Sequence, residues 1–172
     1  MRVFAAVAIA GLALALAAPA SAGAVAVRPV AIDAALQKKF DADYGAREIA
    51  VLQRMVTRAL TRELNEAGGT VADGAPVAVE TTIVDVKPSR PTFQQGVNRP
   101  GLDYGRSISL GGAMLRARIV GADGATLGEV AYRWYEYDLR YATALTTWSD
   151  ANRAIDRFAD RVGEAYRTKA GA

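Results

Sequence analysis

Glu136 and Asp138 stand two residues apart in the run Tyr132-Arg133-Trp134-Tyr135-Glu136-Tyr137-Asp138. On an extended strand that spacing puts both carboxylates on one face. Carboxyl groups about 5–10 Å apart can cleave a glycosidic bond, one as acid and the other as nucleophile or base. Nothing near them assigns a substrate. The run is also the densest aromatic stretch of the chain. Tyr132 and Trp134 share the carboxylate face; Arg133, Tyr135 and Tyr137 take the other. Exposed aromatic rings beside charges stack on sugars or seat a peptide. The alternative puts Trp134 between helix and sheet, with Tyr135 and Tyr137 shielding the far face.

The second candidate is the connection Lys87 to Arg106, KPSRPTFQQGVNRPGLDYGR, with three prolines, three glycines and two aromatics. Connections of this length inside a compact domain are uncommon and often functional. Arg90, Arg99 and Arg106 supply guanidinium forks for an anion, and Phe93, Asp103 and Tyr104 complete the set of candidate binding residues. The competing reading is a crossover strapped to the sheet by Pro88, Pro91 and Pro100. Asp41-Ala42-Asp43-Tyr44-Gly45 with Glu48 has a fragment of calcium-loop spacing, but lacks the further oxygens such a site needs. Helix capping by Asp41 or Asp43 accounts for it better.

Much chemistry is excluded by composition. The 172 residues include no His and no Cys. That removes Ser-His-Asp triads, thiol nucleophiles, disulfides and the usual zinc sites. No phosphate-loop or nucleophile-elbow motif occurs. No cofactor and no metal are expected, and no catalytic residue is assigned.

Met1-Arg2 opens a leader whose apolar run is Val3 to Ala18, with small residues Ala20 and Ala22 at the positions a signal peptidase reads. The run is shorter than the roughly 18 residues of a spanning helix. Residues 1–22 read as a signal peptide cleaved after Ala22, which sends the chain to the periplasm or out of the cell without a transmembrane helix. No Cys follows the cut, so no lipid anchor is expected. Loss of Arg2 leaves 20 basic against 18 acidic residues, without a basic block. A nucleic-acid partner is therefore not expected.

Elements positioning these residues follow from periodicity. Ala24 to Ile32 alternates as a strand, and Pro29 within it implies an edge position or the strand's end. Gly45 to Ala67 carries Ile49, Leu52, Val56, Leu60 and Leu64 as a helical stripe, ended by Gly68-Gly69. Val77 to Val86 is β-branched, with a change of parity at Val84 that implies a bulge or a strand covered on both faces. Ser107 to Val120 and Thr126 to Leu139 pair around Ala122-Asp123-Gly124-Ala125, with Asp-Gly suited to a type I′ turn. That register sets Ala117 against Val130, Leu115 against Tyr132, Ala113 against Trp134 and Arg118 against Glu129. Gly111-Gly112 is a place for a bulge. Thr147 and Asp150 resemble a capping box for a helix bearing Ala151, Ile155, Phe158, Val162 and Ala165. The order β-α-β-β-β-α predicts a two-layer α+β domain over residues 23–167: a mostly antiparallel four-stranded sheet, both helices on one face, and a frayed end at 168–172.

Five runs, Pro88-Ser89-Arg90-Pro91-Thr92, Pro100-Gly101-Leu102-Asp103, Ser109-Leu110-Gly111-Gly112-Ala113, Trp134-Tyr135-Glu136 and Thr147-Trp148-Ser149-Asp150-Ala151, resemble the signature runs of an uncharacterised family of small exported proteins of Gram-negative bacteria. More loosely, the β-α-β-β-β-α order with Arg47-Glu48 opening its first helix is similar to envelope-assembly accessory domains, many of them outer-membrane lipoproteins. The resemblance implies an envelope location and no established activity; the missing lipid-bearing Cys sets this chain apart from the lipoproteins. The expectation is a non-catalytic envelope module that binds a protein or envelope polymer through residues 88–103 and an aromatic sheet face. The alternatives are a carboxylate-dependent glycan hydrolase and a structural protein that self-associates by an open sheet edge.

Overall fold

The computed structural model describes residues 23–141 and 146–170; the expected signal peptide lies outside them. The elements are β1 (Ala24–Val27), β2 (Ala31–Ile32), α1 (Ala34–Lys39), a π-helical turn (Phe40–Tyr44), α2 (Arg47–Glu66), β3 (Thr70–Val71), β4 (Val77–Lys87), α3 (Phe93–Asn98), β5 (Gly112–Val120), β6 (Thr126–Tyr135), a 3-10 turn (Leu139–Tyr141) and α4 (Ser149–Ala170). Among the described residues no helix is long and apolar enough to cross a membrane.

The α+β class holds, but the sheet is mixed and six-stranded, in the order β3-β1-β4-β5-β6 with β2 beside β4. β1 runs parallel to both β3 and β4, and β2 parallel to β4; only β4-β5 and β5-β6 are antiparallel. This corrects the expected four-stranded antiparallel sheet. The chain leaves β1 through α2 and re-enters at β3 and β4, a crossover that makes the strands it joins parallel. β1 is thus an inner strand. Pro29, which has no amide hydrogen, falls in the break between β1 and β2. Among the described residues there are four α-helices rather than two, and α4 continues past Arg167.

α2 ends as its glycines require. Gly68 has φ 91°, its amide donates to Asn65 O at 3.0 Å, and Gly69 donates to Leu64 O at 2.9 Å, the paired bonds of a Schellman cap. α2 has no side-chain cap at its start. Asp33 instead caps α1, Oδ1 accepting from Ala35 N at 2.9 Å, while Asp41 and Asp43 lie within the π-helical turn.

The main apolar core lies on a single face of the sheet and takes both long helices; a small cluster of Ala26, Ala75 and Ala78 stands apart from it. Leu52, Val56, Leu60 and Leu64 of α2 meet Ile155, Phe158, Val162 and Tyr166 of α4 over Val79, Ile83, Val86, Leu115 and Ile119. The register shift between Ile83 and Asp85 is the expected bulge, and it returns Val86 to the core face. The β5-β6 register is as expected for Ala113-Trp134, Leu115-Tyr132, Ala117-Val130 and Arg118-Glu129. The turn differs: Gly124 N bonds to Gly121 O, and only Gly124 has positive φ. This is a type I turn followed by a left-handed glycine, and Leu127 becomes a small bulge. Arg118 pairs with Glu80 of β4 at 2.9 Å rather than with its cross-strand neighbour Glu129.

The stretch Ser107–Gly111 is not strand, contrary to the sequence pattern. Ser109 N donates to Ser89 O at 2.9 Å, which holds this stretch against the other limb of the same connection.

Candidate functional site

β4 ends, β5 begins and β6 ends at one pole of the sheet. The 88–111 connection and the described parts of the next one, 136–141 and 146–148, therefore meet there, beside the start of α4. Their backbones are stitched together: Ser89 N donates to Thr147 O at 2.7 Å, and Glu136 N to Gly111 O at 2.9 Å.

A buried polar network sits beneath the pole. Asp150, fully buried in the first turn of α4, accepts from Ser89 Oγ (2.8 Å) and Gly111 N (3.0 Å) through Oδ2. Its own amide donates to Ser89 Oγ at 3.0 Å, so Ser89 caps α4 from 61 residues away. Asp150 Oδ1 makes no hydrogen bond and faces the Arg153 guanidinium at 3.6 Å. Arg153 also lies 3.9 Å from Glu136 Oε2. The expected Thr147 cap is absent; its hydroxyl donates to Pro91 O instead. Gly111 is required by close approach, since a Cβ there would lie 2.5 Å from Ser89 Oγ and 2.9 Å from Lys87 O.

Within the 88–111 connection, α3 was hidden by glycine-rich composition, although its signal was present. Thr92 Oγ1 accepts from Gln95 N and Gln95 Oε1 accepts from Thr92 N, a complete capping box. Gln95 and Arg99 then donate to the two oxygens of Asp43 at 2.7 and 2.9 Å. α3 is thereby tied to the π-helical turn, and Asp43 is committed to it. Among the described residues no acidic cluster is placed to hold a metal.

The predicted binding residues divide. Arg90 supports the loop by donating to Tyr104 O and Gly105 O. Asp103 Oδ1 accepts from the Gly105 and Arg106 amides, folding the loop tip. Tyr104 lies on Gly96 and donates to Phe93 O at 2.6 Å. Arg106 is the exposed guanidinium, 92% accessible, with only a 3.9 Å approach to Asp103. Tyr135 and Tyr137 do not share a face. β6 stops at Tyr135, whose ring crosses the notch at Gly112 and donates to Asp85 Oδ2 at 2.6 Å on the open side of the sheet. Asp85 also holds Lys39 Nζ at 2.7 Å. That hydrogen bond raises the Lys39 pKa, and burial together with the Asp85 bond pushes the Tyr135 phenol up. Tyr137 projects into solvent beyond the strand.

Glu136 and Asp138 also part where β6 ends. Glu136 is buried, and its Oε1 accepts from the Tyr137 and Asp138 amides. Asp138 is gripped by Arg140 at 2.6–3.1 Å, which holds its carboxyl below the usual range. Trp134 and Tyr132 are half-buried against the core, under the guanidiniums of Arg157 (4.8 Å) and Arg161 (4.5 Å) from α4. The indole of the other tryptophan, Trp148, donates to Glu48 at 2.6 Å behind the pole.

Among the described residues, the large apolar side chains that remain exposed all belong to this pole. They are Phe93, Val97, Tyr104 and Ile108 on one connection and Tyr137, Leu139 and Tyr141 on the other. Val97, Ile108, Leu139 and Tyr141 were not singled out from sequence. Between the first connection and the π-helical turn lies a cavity of about 290 Å³ lined by Tyr44, Lys87, Pro91, Arg99 and Ile108 among others. The open face of the sheet is polar by contrast. Its cavity of about 830 Å³ is lined by Glu80, Thr82, Arg116, Arg118 and Glu129 among others.

No known family model and no curated protein matches this chain. Solved structures of similar fold include a hypothetical protein from Chlamydia trachomatis, 11% identical over 86% of this chain and 98% of that one, with TM-score 0.49. A Xanthomonas campestris protein described by the DUF330 family model is 12% identical over 88% and 89%, with TM-score 0.48. A PelC dodecamer from Paraburkholderia phytofirmans is 9% identical over 87% and 88%, with TM-score 0.47.

Proposed function

We propose that this chain is a non-catalytic exported envelope module whose contact surface is the pole where the 88–111 connection meets the described parts, 136–141 and 146–148, of the connection after β6. One observation carries the reading. The seven exposed large apolar side chains of the described residues fall on these two connections, while the open sheet face is charged. Clustered apolar exposure on a rigid support is characteristic of a surface built for a partner. The support is the Ser89–Asp150–Gly111 network, which fixes both limbs of the first connection to α4, and the Ser89–Thr147 and Glu136–Gly111 backbone bonds, which hold the second connection to the first. The leader at residues 1–22 supports export. The commitment of Glu136 to local amides and of Asp138 to Arg140 supports a binding rather than a hydrolytic role. The partner is an envelope protein or polymer.

The test compares wild type with a Phe93→Asp/Tyr137→Asp double variant in quantitative co-purification from envelope extracts. The expected result is a protein or polymer enriched with wild type and lost with the variant, at unchanged circular dichroism. An unchanged partner profile refutes the reading.

A further inference from the structure

We propose that β6 pairs with β6 of a second copy of this chain, antiparallel about a two-fold axis through Ala131, so that the two sheets become one. β6 is the last strand of the sheet, with β5 as its neighbour. Glu136 N donates inward to Gly111 O. In an antiparallel pair, alternate residues aim both N–H and C=O at the neighbour. The even-numbered residues from Gly128 to Glu136 are therefore spent on β5, and Glu129, Ala131 and Arg133 present theirs outward. Among the described residues no hydrogen-bond partner takes those three amides.

An outward row can pair only with another outward row, so odd-numbered residues oppose odd-numbered ones. A centre at 129 sets Glu129 against Glu129, and a centre at 133 sets Arg133 against Arg133. Centres at 130 or 132 put Glu129 opposite Ala131 or Tyr135 and gain no charge pair. The centre at Ala131 alone places Glu129 opposite the second copy's Arg133, and by symmetry does so twice. It also sets Val130 against Tyr132 and Gly128 against Trp134, small against large, on the helix side. Glu129, Ala131 and Arg133 are exposed, and the regular β5 pairing from Gly128 onward keeps the row straight. α4 packs over both β5 and β6. Strands about 4.8 Å apart would bring the two copies of α4 to about 10 Å, an ordinary helix-packing distance.

The chain has no cysteine, so a single introduced thiol is unambiguous. Opposed residues of a hydrogen-bonded antiparallel pair have Cα atoms about 5.5 Å apart, within disulfide reach. The mature chain is expected to be a dimer in light scattering, and Ala131→Cys to form a covalent dimer on mild oxidation. Ala131→Pro, which removes an outward amide hydrogen, is expected to be monomeric with native circular dichroism. Arg133→Glu, which leaves every amide in place, is expected to weaken dimerisation about tenfold or more, since it creates two like-charge pairs. Glu129→Arg/Arg133→Glu is expected to restore it. A wild-type chain that stays monomeric at high concentration overturns the proposal. So does a dimer indifferent to both Arg133→Glu and Ala131→Pro.

Discussion

Ser89→Ala is the sharpest single perturbation of the pole. The hydroxyl does two things at once: it donates to the buried Asp150 carboxylate at 2.8 Å and accepts the Asp150 amide at 3.0 Å. A hydrogen bond to a charged group contributes about 1.5–3 kcal/mol, and loss of a helix cap costs about 1 kcal/mol. Ser89 is fully buried, so solvent screening does not discount these terms. The expected loss is about 3 kcal/mol in urea unfolding of the mature chain. At about 2–4 °C per kcal/mol for a domain of this size, the melting temperature falls by about 6–12 °C. Ser89→Thr, which keeps the hydroxyl, should lose less than the alanine variant. A loss below about 1 kcal/mol for Ser89→Ala refutes the reasoning, because the network would then not be what fastens the 88–111 connection to α4.

Other outcomes follow from the same geometry. Gly112→Ala should destabilise strongly, because a Cβ would lie 2.3 Å from Trp134 O and 2.5 Å from Tyr135 Cα, both backbone atoms; thermal melting checks it. Gly96→Ala should cost far less stability, since the obstacle is the far end of the Tyr104 ring, yet it should expel Tyr104 from α3, as a tyrosine-specific NMR shift would report. Thr81→Val should stabilise by about 1 kcal/mol, because the buried Thr81 hydroxyl makes no hydrogen bond. Lys39 and Tyr135 both hold their protons more tightly when folded. Their contribution is complete below the unfolded values near pH 10 and is lost as pH rises through the folded ones. Urea titrations across that range should show alkaline weakening that is reduced in Asp85→Asn.

What the sequence made legible was periodic and local. The stripes of α2 and α4 follow from one-sided burial at helical spacing, and the β5-β6 register follows from matching small to large residues across one turn. β3 is two residues long and leaves no pattern. The parallel pairing of β1 depends on how α2 returns the chain, which alternation along β1 does not encode. α3 was obscured by surrounding proline and glycine, although Thr92 and Gln95 carried its capping signal. Of the pole, the long connection and several of its residues stood out by composition. The pairing of Ser89 with Asp150 was not legible, since only folding brings residues 61 positions apart into one hydrogen bond. Alternation puts Tyr135 and Tyr137 on one face only for a strand that runs past Tyr135, and β6 ends there, where the Glu136 carboxylate takes the next two backbone amides.

The most direct test of the contact surface is photo-cross-linking in the producing cell, with a photoreactive residue placed at Phe93, at Tyr137 or, as the control on the open sheet face, at Thr82. Adducts to the same envelope partner from both pole positions and none from Thr82 are expected. Adducts from Thr82 with none from Phe93 or Tyr137 would contradict the account and move the contact surface to the charged face of the sheet.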